Sequence, residues 1–168
     1  MKNGAIIPII PAEYINSYKW IDNKTIIYNE TTEATQQIRR LDLIKGKNGL
    51  AARRTKELTN GDFNYGEFGV SGDLIITERQ DHNNATEIFK INSKKYVSPA
   101  PLTKVNKGIY DSIEIGNVEK RWISTSDGKK MLTWVFFPPN FDAEKKYPTL
   151  LYCQGGPQAA ISSFYSFR

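Results

Sequence analysis

The residues with the clearest chemical potential are Gln154, Gly155, Gly156 and Pro157, which follow a short apolar run at residues 147–153. A continuous apolar run of this length, closed by glycines, is typical of a strand buried on both faces of a parallel sheet. Such strands deliver the loop that follows them to the edge where open α/β sheets hold their sites. The sequence therefore predicts a buried strand at 147–153 and a functional loop after it.

A pair of glycines lets the main chain approach a ligand closely and leaves backbone N–H groups free to point at an anion. In acyl transfer that anion is the oxygen of the tetrahedral intermediate, and a missing donor typically costs about 3–4 kcal/mol in barrier. The Gly155-Gly156-Pro157 loop is therefore a candidate for binding such an oxyanion. A tight turn with only a structural role is the alternative interpretation.

The other groups that acyl transfer requires are not recognisable in the sequence. Residues 69–72, Gly-Val-Ser-Gly, come nearest to the Gly-x-Ser-x-Gly nucleophile motif, but their spacing differs. The single histidine, His82, lies in a polar turn, and we expect it on the surface. The single cysteine, Cys153, has apolar neighbours and is predicted to be a buried core residue. No zinc, phosphate-loop or dinucleotide motif occurs, so neither a metal nor a cofactor is predicted.

The composition is that of a globular protein rather than a disordered one. The 168 residues are 39% hydrophobic and 12% aromatic, with a formal net charge of +5. Lys and Arg pairs are scattered over separate segments, which favours a solvated surface over a nucleic-acid patch. The apolar stretch near the N-terminus is short and broken by prolines, so we predict neither a membrane span nor a signal peptide.

The first two-thirds of the chain contain an internal repeat. Residues 22–28 match 71–77, residues 36–42 match 86–92, and residues 58–61 match 102–105. In both copies a polar turn leads into a short β-branched strand, and a Leu-Thr pair follows. Copies about 44 to 50 residues apart fall in the range of propeller blades, which need neighbours on both sides. A plain antiparallel meander is the alternative to a propeller.

After Gly116 the pattern changes. Residues 121–125 are predicted to form a strand, 126–129 a hairpin turn, and 131–137 an alternating strand that two prolines end. Two such strands followed by a continuous apolar strand are typical of the start of a mixed α/β sheet. We therefore predict a domain boundary near Asn117.

Four sequence elements resemble the beginning of the catalytic domain of prolyl-oligopeptidase-family serine peptidases. They are Ser-Asp-Gly at 126–128, Pro-Pro-x-Phe-Asp at 138–142, Lys-Tyr-Pro at 146–148 and Gly-Gly-Pro at 155–157. Within that family the likeness is to the bacterial dipeptidyl-peptidase-five type of Bacteroidetes. The last third of the chain resembles the family strongly, and the preceding repeats resemble its propeller more loosely.

The resemblance implies a mostly β fold: the C-terminal blades of a β-propeller at residues 1–117, then the first strands of a truncated α/β-hydrolase domain at 118–168. It also implies a Ser-Asp-His hydrolase whose propeller admits short peptides. The loop at Gln154 and Gly155 would help form the oxyanion hole. Relatives often carry His or Tyr where this chain has Gln154, so backbone amides are the expected donors. The triad would lie beyond Arg168, and the chain is expected to be an inactive internal fragment.

The sequence thus predicts part of a serine exopeptidase that acts on short peptides, as a dipeptidyl or acylaminoacyl peptidase. A non-catalytic, propeller-like peptide-binding module and a carboxylesterase-type fragment are the alternatives. The codons after Arg168 would distinguish them. The resemblance suggests a periplasmic location, with the cytoplasm as the alternative, and the oligomeric state is left open.

Overall fold

The computed structural model describes residues 9, 14–47, 49–153 and 160–166, and its regular structure is mostly β, as predicted. No helix in this part of the chain is long and apolar enough to cross a membrane. The elements are β1 (Ile15–Asp22), β2 (Thr25–Thr32), β3 (Thr35–Gly46), β4 (Gly49–Glu57), β5 (Asn64–Ser71), β6 (Leu74–Gln80), β7 (Glu87–Asn92), β8 (Ala100–Pro101), α1 (Lys107–Tyr110), β9 (Val118–Ser124) and β10 (Lys130–Phe136).

The first eight strands form two four-stranded antiparallel meanders, β1–β4 and β5–β8. The meanders join where Gln36 of β3 pairs in parallel with Asn64 of β5. The Asn64 side chain reinforces this join, because its Oδ1 accepts a hydrogen bond from the Gln36 N–H at 3.0 Å. This parallel pair therefore continues one eight-stranded sheet across two meanders that are otherwise built from local hairpins.

The internal repeat of the sequence corresponds to these two meanders, and its Leu-Thr pair makes the same contacts in both. In the first, the Leu58 N–H donates to the Ile38 carbonyl at 3.0 Å, and the Ile38 N–H donates to the Thr59 hydroxyl at 2.8 Å. In the second, the N–H of Leu102 donates to the carbonyl of Ile88 at 2.7 Å. The N–H of that isoleucine donates to the Thr103 hydroxyl at 2.9 Å. Both copies of the repeat therefore contain the same hydrogen-bonding pattern.

The main apolar core lies between the two meanders. Strand β3 shows why, since its side chains alternate between faces: Ile38 points toward the second meander, whereas Leu41 and Leu43 belong to a smaller cluster on the opposite face. A fully buried side chain such as Ile38 contributes about 1.5–3 kcal/mol by removing apolar surface from water. The core residues are Ile27, Ile38, Leu58, Tyr65, Phe68, Ile75 and Ile91.

Strands β9 and β10 form a separate antiparallel hairpin in the region where the sequence predicted one. Gly128 in its turn has φ of 79°, a conformation that glycine adopts without strain. Gly116 lies just before the hairpin, and a Cβ at this position would collide with the Phe137 carbonyl. The Phe137 N–H in turn donates to the Asn117 carbonyl at 2.9 Å. The main chain at this junction is therefore packed against the end of the hairpin.

The predicted buried strand at residues 147–153 is wrong for this structure. No strand forms there, and Leu150, Leu151 and Tyr152 are 96%, 83% and 78% exposed. Cys153, predicted to be buried, is also exposed. The physical reason is pairing: a strand of a parallel sheet needs hydrogen-bonded neighbours and covered faces, and none of the described strands pairs with this segment.

Substituting Thr59 by Val should lower the free energy of unfolding by about 1–3 kcal/mol, because the buried Ile38 N–H and Gln37 Oε1 each lose a partner. Thr103→Val should cost less, since Thr103 is only partly buried. Urea denaturation followed by circular dichroism measures both effects. The control is Thr149→Val at an exposed position, expected within about 0.5 kcal/mol of the parent. Equal losses at all three positions would contradict the role assigned to the Leu-Thr pair.

Candidate functional site

The predicted site residues Gln154 and Gly155 lie outside the described residues, so the candidate site is built from the segments around them. After them, residues 160–166 lie against the meanders and against hairpin β9–β10. We call this contact region the seam. It comprises residues 160–166, hairpin β9–β10, and the meander loops at 32–35, 60–64 and 80–84.

The seam centres on the tight turn between β2 and β3. Glu33 and Ala34 both have positive φ, 45° and 56°, which is the geometry of a type I′ hairpin turn. The turn presents the Ala34 carbonyl, which accepts a hydrogen bond from the Ser163 N–H at 3.1 Å. The Ser163 hydroxyl donates to the Asp62 carbonyl at 2.9 Å, and Ser163 is only 1% exposed. Ser163 therefore fastens residues 160–166 to two meander loops at once.

Three further hydrogen bonds extend the same attachment. The indole N–H of Trp134 in β10 donates to the Ile161 carbonyl at 3.0 Å, which ties the hairpin to the segment. The Asn64 amide donates to the Ser162 hydroxyl at 3.0 Å, so the residue that joins the meanders also holds this segment. The Tyr165 N–H donates to the side-chain oxygen of Gln80 at 3.2 Å. Residues 160–166 are thus held by both meanders and by the hairpin.

Lys120 of β9 adds an electrostatic contact across the seam. Its ammonium lies 2.9 Å from the Asp62 carboxylate and 3.3 Å from that of Glu33. Burial opposes the charge on Lys120, but the hydrogen bonds and charges of Asp62 and Glu33 outweigh it and raise the pKa of Lys120. The lysine therefore stays charged and draws the hairpin toward the same two loops that bind Ser163.

His82 lies in the seam and not on the open surface, so the expectation from its polar neighbours is wrong. Its ring makes edge contacts with the rings of Trp134 and Phe136, at centroid distances of 4.7 Å and 4.8 Å. Burial lowers its pKa, and the charges of Asp81 and Asp62 offset part of that shift. Its Nε2 is buried and has no hydrogen-bond partner among the described residues, so this nitrogen is not paired with a hydroxyl there.

A cavity of about 240 Å³ opens at the seam beside the β2–β3 turn. Its charged lining groups are all engaged in ion pairs: Arg39 with Glu57, and Lys120 with Glu33 and Asp62. Paired charges of this kind hold elements together and leave no free acid or base at the cavity. The described part of the seam therefore serves to position chain segments.

Sequence reasoning missed Ser163, Lys120 and the turn at Glu33 and Ala34. Their partners are far apart in the chain, as Ser163 and Asp62 show with a separation of 101 residues. One signal was available. A pair of serines at 162–163 within an aromatic stretch indicates polar groups that must be satisfied once the aromatic side chains pack.

No family model matches the chain, but two relatives named as peptidases are similar to it. The chain is 37% identical to dipeptidyl-peptidase 5 of Porphyromonas gingivalis over 155 residues. This aligned segment covers 92% of this chain and 22% of that protein. It is 41% identical over 119 residues to dipeptidyl-peptidase 5 of Porphyromonas endodontalis, covering 71% of this chain and 17% of that protein. The chain thus spans about a fifth of the length of the curated relatives it matches.

Two solved structures share the fold. One is an acylaminoacyl peptidase in complex with Z-Gly-Gly-Phe-chloromethyl ketone, with a TM-score of 0.67 and 14% identity over 90% of this chain and 22% of that one. The other is the Pyrococcus horikoshii acylaminoacyl peptidase, with a TM-score of 0.66, 14% identity and the same coverage. The predicted resemblance is confirmed: the chain is homologous to part of dipeptidyl-peptidase 5.

Replacing Ser163 by Ala should weaken the attachment of residues 160–166 by about 0.5–1.5 kcal/mol, because the partly buried hydrogen bond from its hydroxyl to the Asp62 carbonyl is lost. Hydrogen exchange followed by mass spectrometry should show faster exchange in residues 160–166 while strands β2 and β3 stay protected. Ser126→Ala, in the exposed hairpin turn, is the matched control and should leave the exchange pattern unchanged. A uniform loss of protection over the meanders would show that Ser163 supports the whole fold and not this attachment.

Proposed function

We propose that this chain is the part of a prolyl-oligopeptidase-family serine peptidase in which a β-propeller passes into an α/β-hydrolase domain. The observation that carries the proposal is the 37% identity to dipeptidyl-peptidase 5 across 92% of this chain. The fold shared with acylaminoacyl peptidases supports it. The proposed reaction is hydrolysis of short peptides near their N-terminus, with release of dipeptides or of acylated amino acids.

In this proposal the two meanders are consecutive propeller blades within residues 1–117. The architecture of the meanders supports this assignment, because each has four antiparallel strands and the same Leu-Thr hydrogen bonds. Blades of this size cannot cover their own faces and require neighbours. Leu74 at the start of β6 remains 44% exposed, which suits a blade that takes a further neighbour.

Hairpin β9–β10 would be the first part of the hydrolase domain, which we assign to residues 118–168. Strand β9 begins at Val118, directly after the proposed boundary. The exposed apolar side chains of Leu150, Leu151 and Tyr152 suit a segment that packs against further parts of a longer protein. The seam then links the two proposed domains through Lys120, Trp134 and Ser163.

The proposed chemistry is that of a serine peptidase. A serine attacks the scissile carbonyl, a histidine takes its proton and returns it to the leaving amine, and an aspartate orients the histidine. We assign the loop at Gln154 and Gly155 to the oxyanion hole, where backbone N–H groups meet the charge that develops on the carbonyl oxygen. The serine, histidine and aspartate are expected beyond Arg168, so these 168 residues alone should show no peptidase activity.

Reading the gene past Arg168 tests the proposal most directly. An in-frame Gly-x-Ser-x-Gly motif followed by Asp and His is the expected result. The full product should then cleave dipeptidyl or acylaminoacyl amide substrates. Cleavage of simple esters alone would point to a carboxylesterase. An immediate stop codon, with peptide binding but no hydrolysis, would point to a binding module and overturn the assignment.

In that full product, Gly155→Pro should lower kcat by about 100- to 1,000-fold, because proline removes the backbone N–H proposed to face the oxyanion. Gly155→Ala keeps the N–H and is the matched control. Gln154→Ala should change kcat by less than about tenfold, which corresponds to 1.36 kcal/mol, since its side chain is not the expected donor. Steady-state kinetics with a dipeptidyl substrate measures all three. A larger loss in Gln154→Ala than in Gly155→Pro would assign the donor to the side chain instead.

A further inference from the structure

His82 is partly buried against two aromatic rings of the hairpin. It lies in the loop after β6, and its ring is edge-on to Trp134 and Phe136 with interplanar angles of 68° and 81°. Both of these aromatic residues belong to β10. The imidazole is therefore part of the apolar packing between the meanders and the hairpin.

The stability of His82 in this packing depends on whether one or both of its ring nitrogens are protonated. A neutral imidazole carries one N–H and one unprotonated nitrogen, whereas the protonated ring carries an N–H on both. Nε2 is buried and unpaired among the described residues. An unpaired charged donor in such a place costs more than an unpaired neutral acceptor, because the desolvation of a charge is larger. Protonation of His82 therefore destabilises its packing against the hairpin.

The carboxylates near His82 are already engaged. On its own loop, Asp81 accepts hydrogen bonds from the backbone N–H groups of Asn83 and Asn84 and from the side-chain amide of Asn84. From the β4–β5 loop, Asp62 pairs with Lys120 at 2.9 Å. From residues 160–166, the main chain of Phe164 favours the protonated form, as do the two carboxylates, but burial outweighs them and lowers the pKa of His82.

From this geometry we propose that His82 makes the seam an acid-sensitive joint, which is closed while the imidazole is neutral and loosens when the imidazole takes up a proton. The joint concerns the attachment of hairpin β9–β10 and residues 160–166 to the meanders. It does not depend on the proposed peptidase function, because every group that it uses is described in this chain.

The direction of the pH dependence follows from proton linkage. The pKa of His82 is lowered in the closed seam, whereas a solvated histidine titrates near about 6.5. The open state therefore binds more protons, and the closed state gains stability as the pH rises. The seam should be fully held above about pH 6.5 and should weaken progressively as the pH falls below that value toward the lowered pKa.

The test measures opening of the seam directly in the full chain by NMR hydrogen exchange between pH 7.5 and 5.5. The reporters are the Ser163 amide and the Trp134 indole N–H, which bond across the seam. After correction for intrinsic exchange, the opening constant should rise by up to about tenfold over this range. The Leu43 amide, bonded to Lys24 within the first meander, is the internal control and should not change. The His82 ring, the single imidazole of the chain, is followed in the same samples.

Two variants decide between His82 and other titrating groups. His82→Phe keeps an aromatic ring without a titrating proton, and His82→Gln keeps polarity without a charge. A variant is informative if its Leu43 amide remains protected from hydrogen exchange, since the first meander is then intact. In such a variant, the opening constant of the seam should be independent of pH over this range. A tenfold rise that persists in such a variant would overturn the proposal. So would a His82 ring that titrates near its ordinary pKa without any change at Ser163 and Trp134.

Discussion

The apolar layer between the two meanders is the constraint on which the rest of the structure depends. The larger apolar cluster is shared by the two meanders, so that Ile38 of the first and Phe68 of the second are removed from water together. Asn64 joins the sheets at this layer and also holds Ser162. The packing of the meanders and the placement of residues 160–166 are therefore two consequences of the same join.

The seam is held largely by main-chain acceptors. Ser163 bonds to the carbonyls of Ala34 and Asp62, and Trp134 bonds to the carbonyl of Ile161. Such contacts need the backbone path that places the acceptors as well as the side chains of Ser163 and Trp134 that donate to them. The positive φ values at Glu33 and Ala34 matter for this reason, since they set the direction of the carbonyl that Ser163 uses. Lys120 adds ion pairs with Glu33 and Asp62.

What the sequence allowed one to predict was the local and repetitive part of the fold. The hairpin turn at Gly128 and the Leu-Thr repeat at Thr59 and Thr103 are encoded within a few residues, and both occur as expected. The seam could not be predicted because its contacts join residues as far apart as 98 and 101 positions. His82 was expected at the surface for the same reason: its immediate neighbours are polar, and its burial comes from a distant strand.

The close packing at Gly116 limits how this molecule can be rebuilt. A side chain there would strike the Phe137 carbonyl, and the Asn83 amide donates to the Gly116 carbonyl at 2.9 Å. The junction is therefore a poor place to cut, graft or insert, because added atoms would push the hairpin off its support. A designer who wishes to exchange the two parts should carry Gly116 and Asn117 along with the hairpin. Insertions should be tolerated better around Tyr96 and Val97, which are exposed and lie outside any strand.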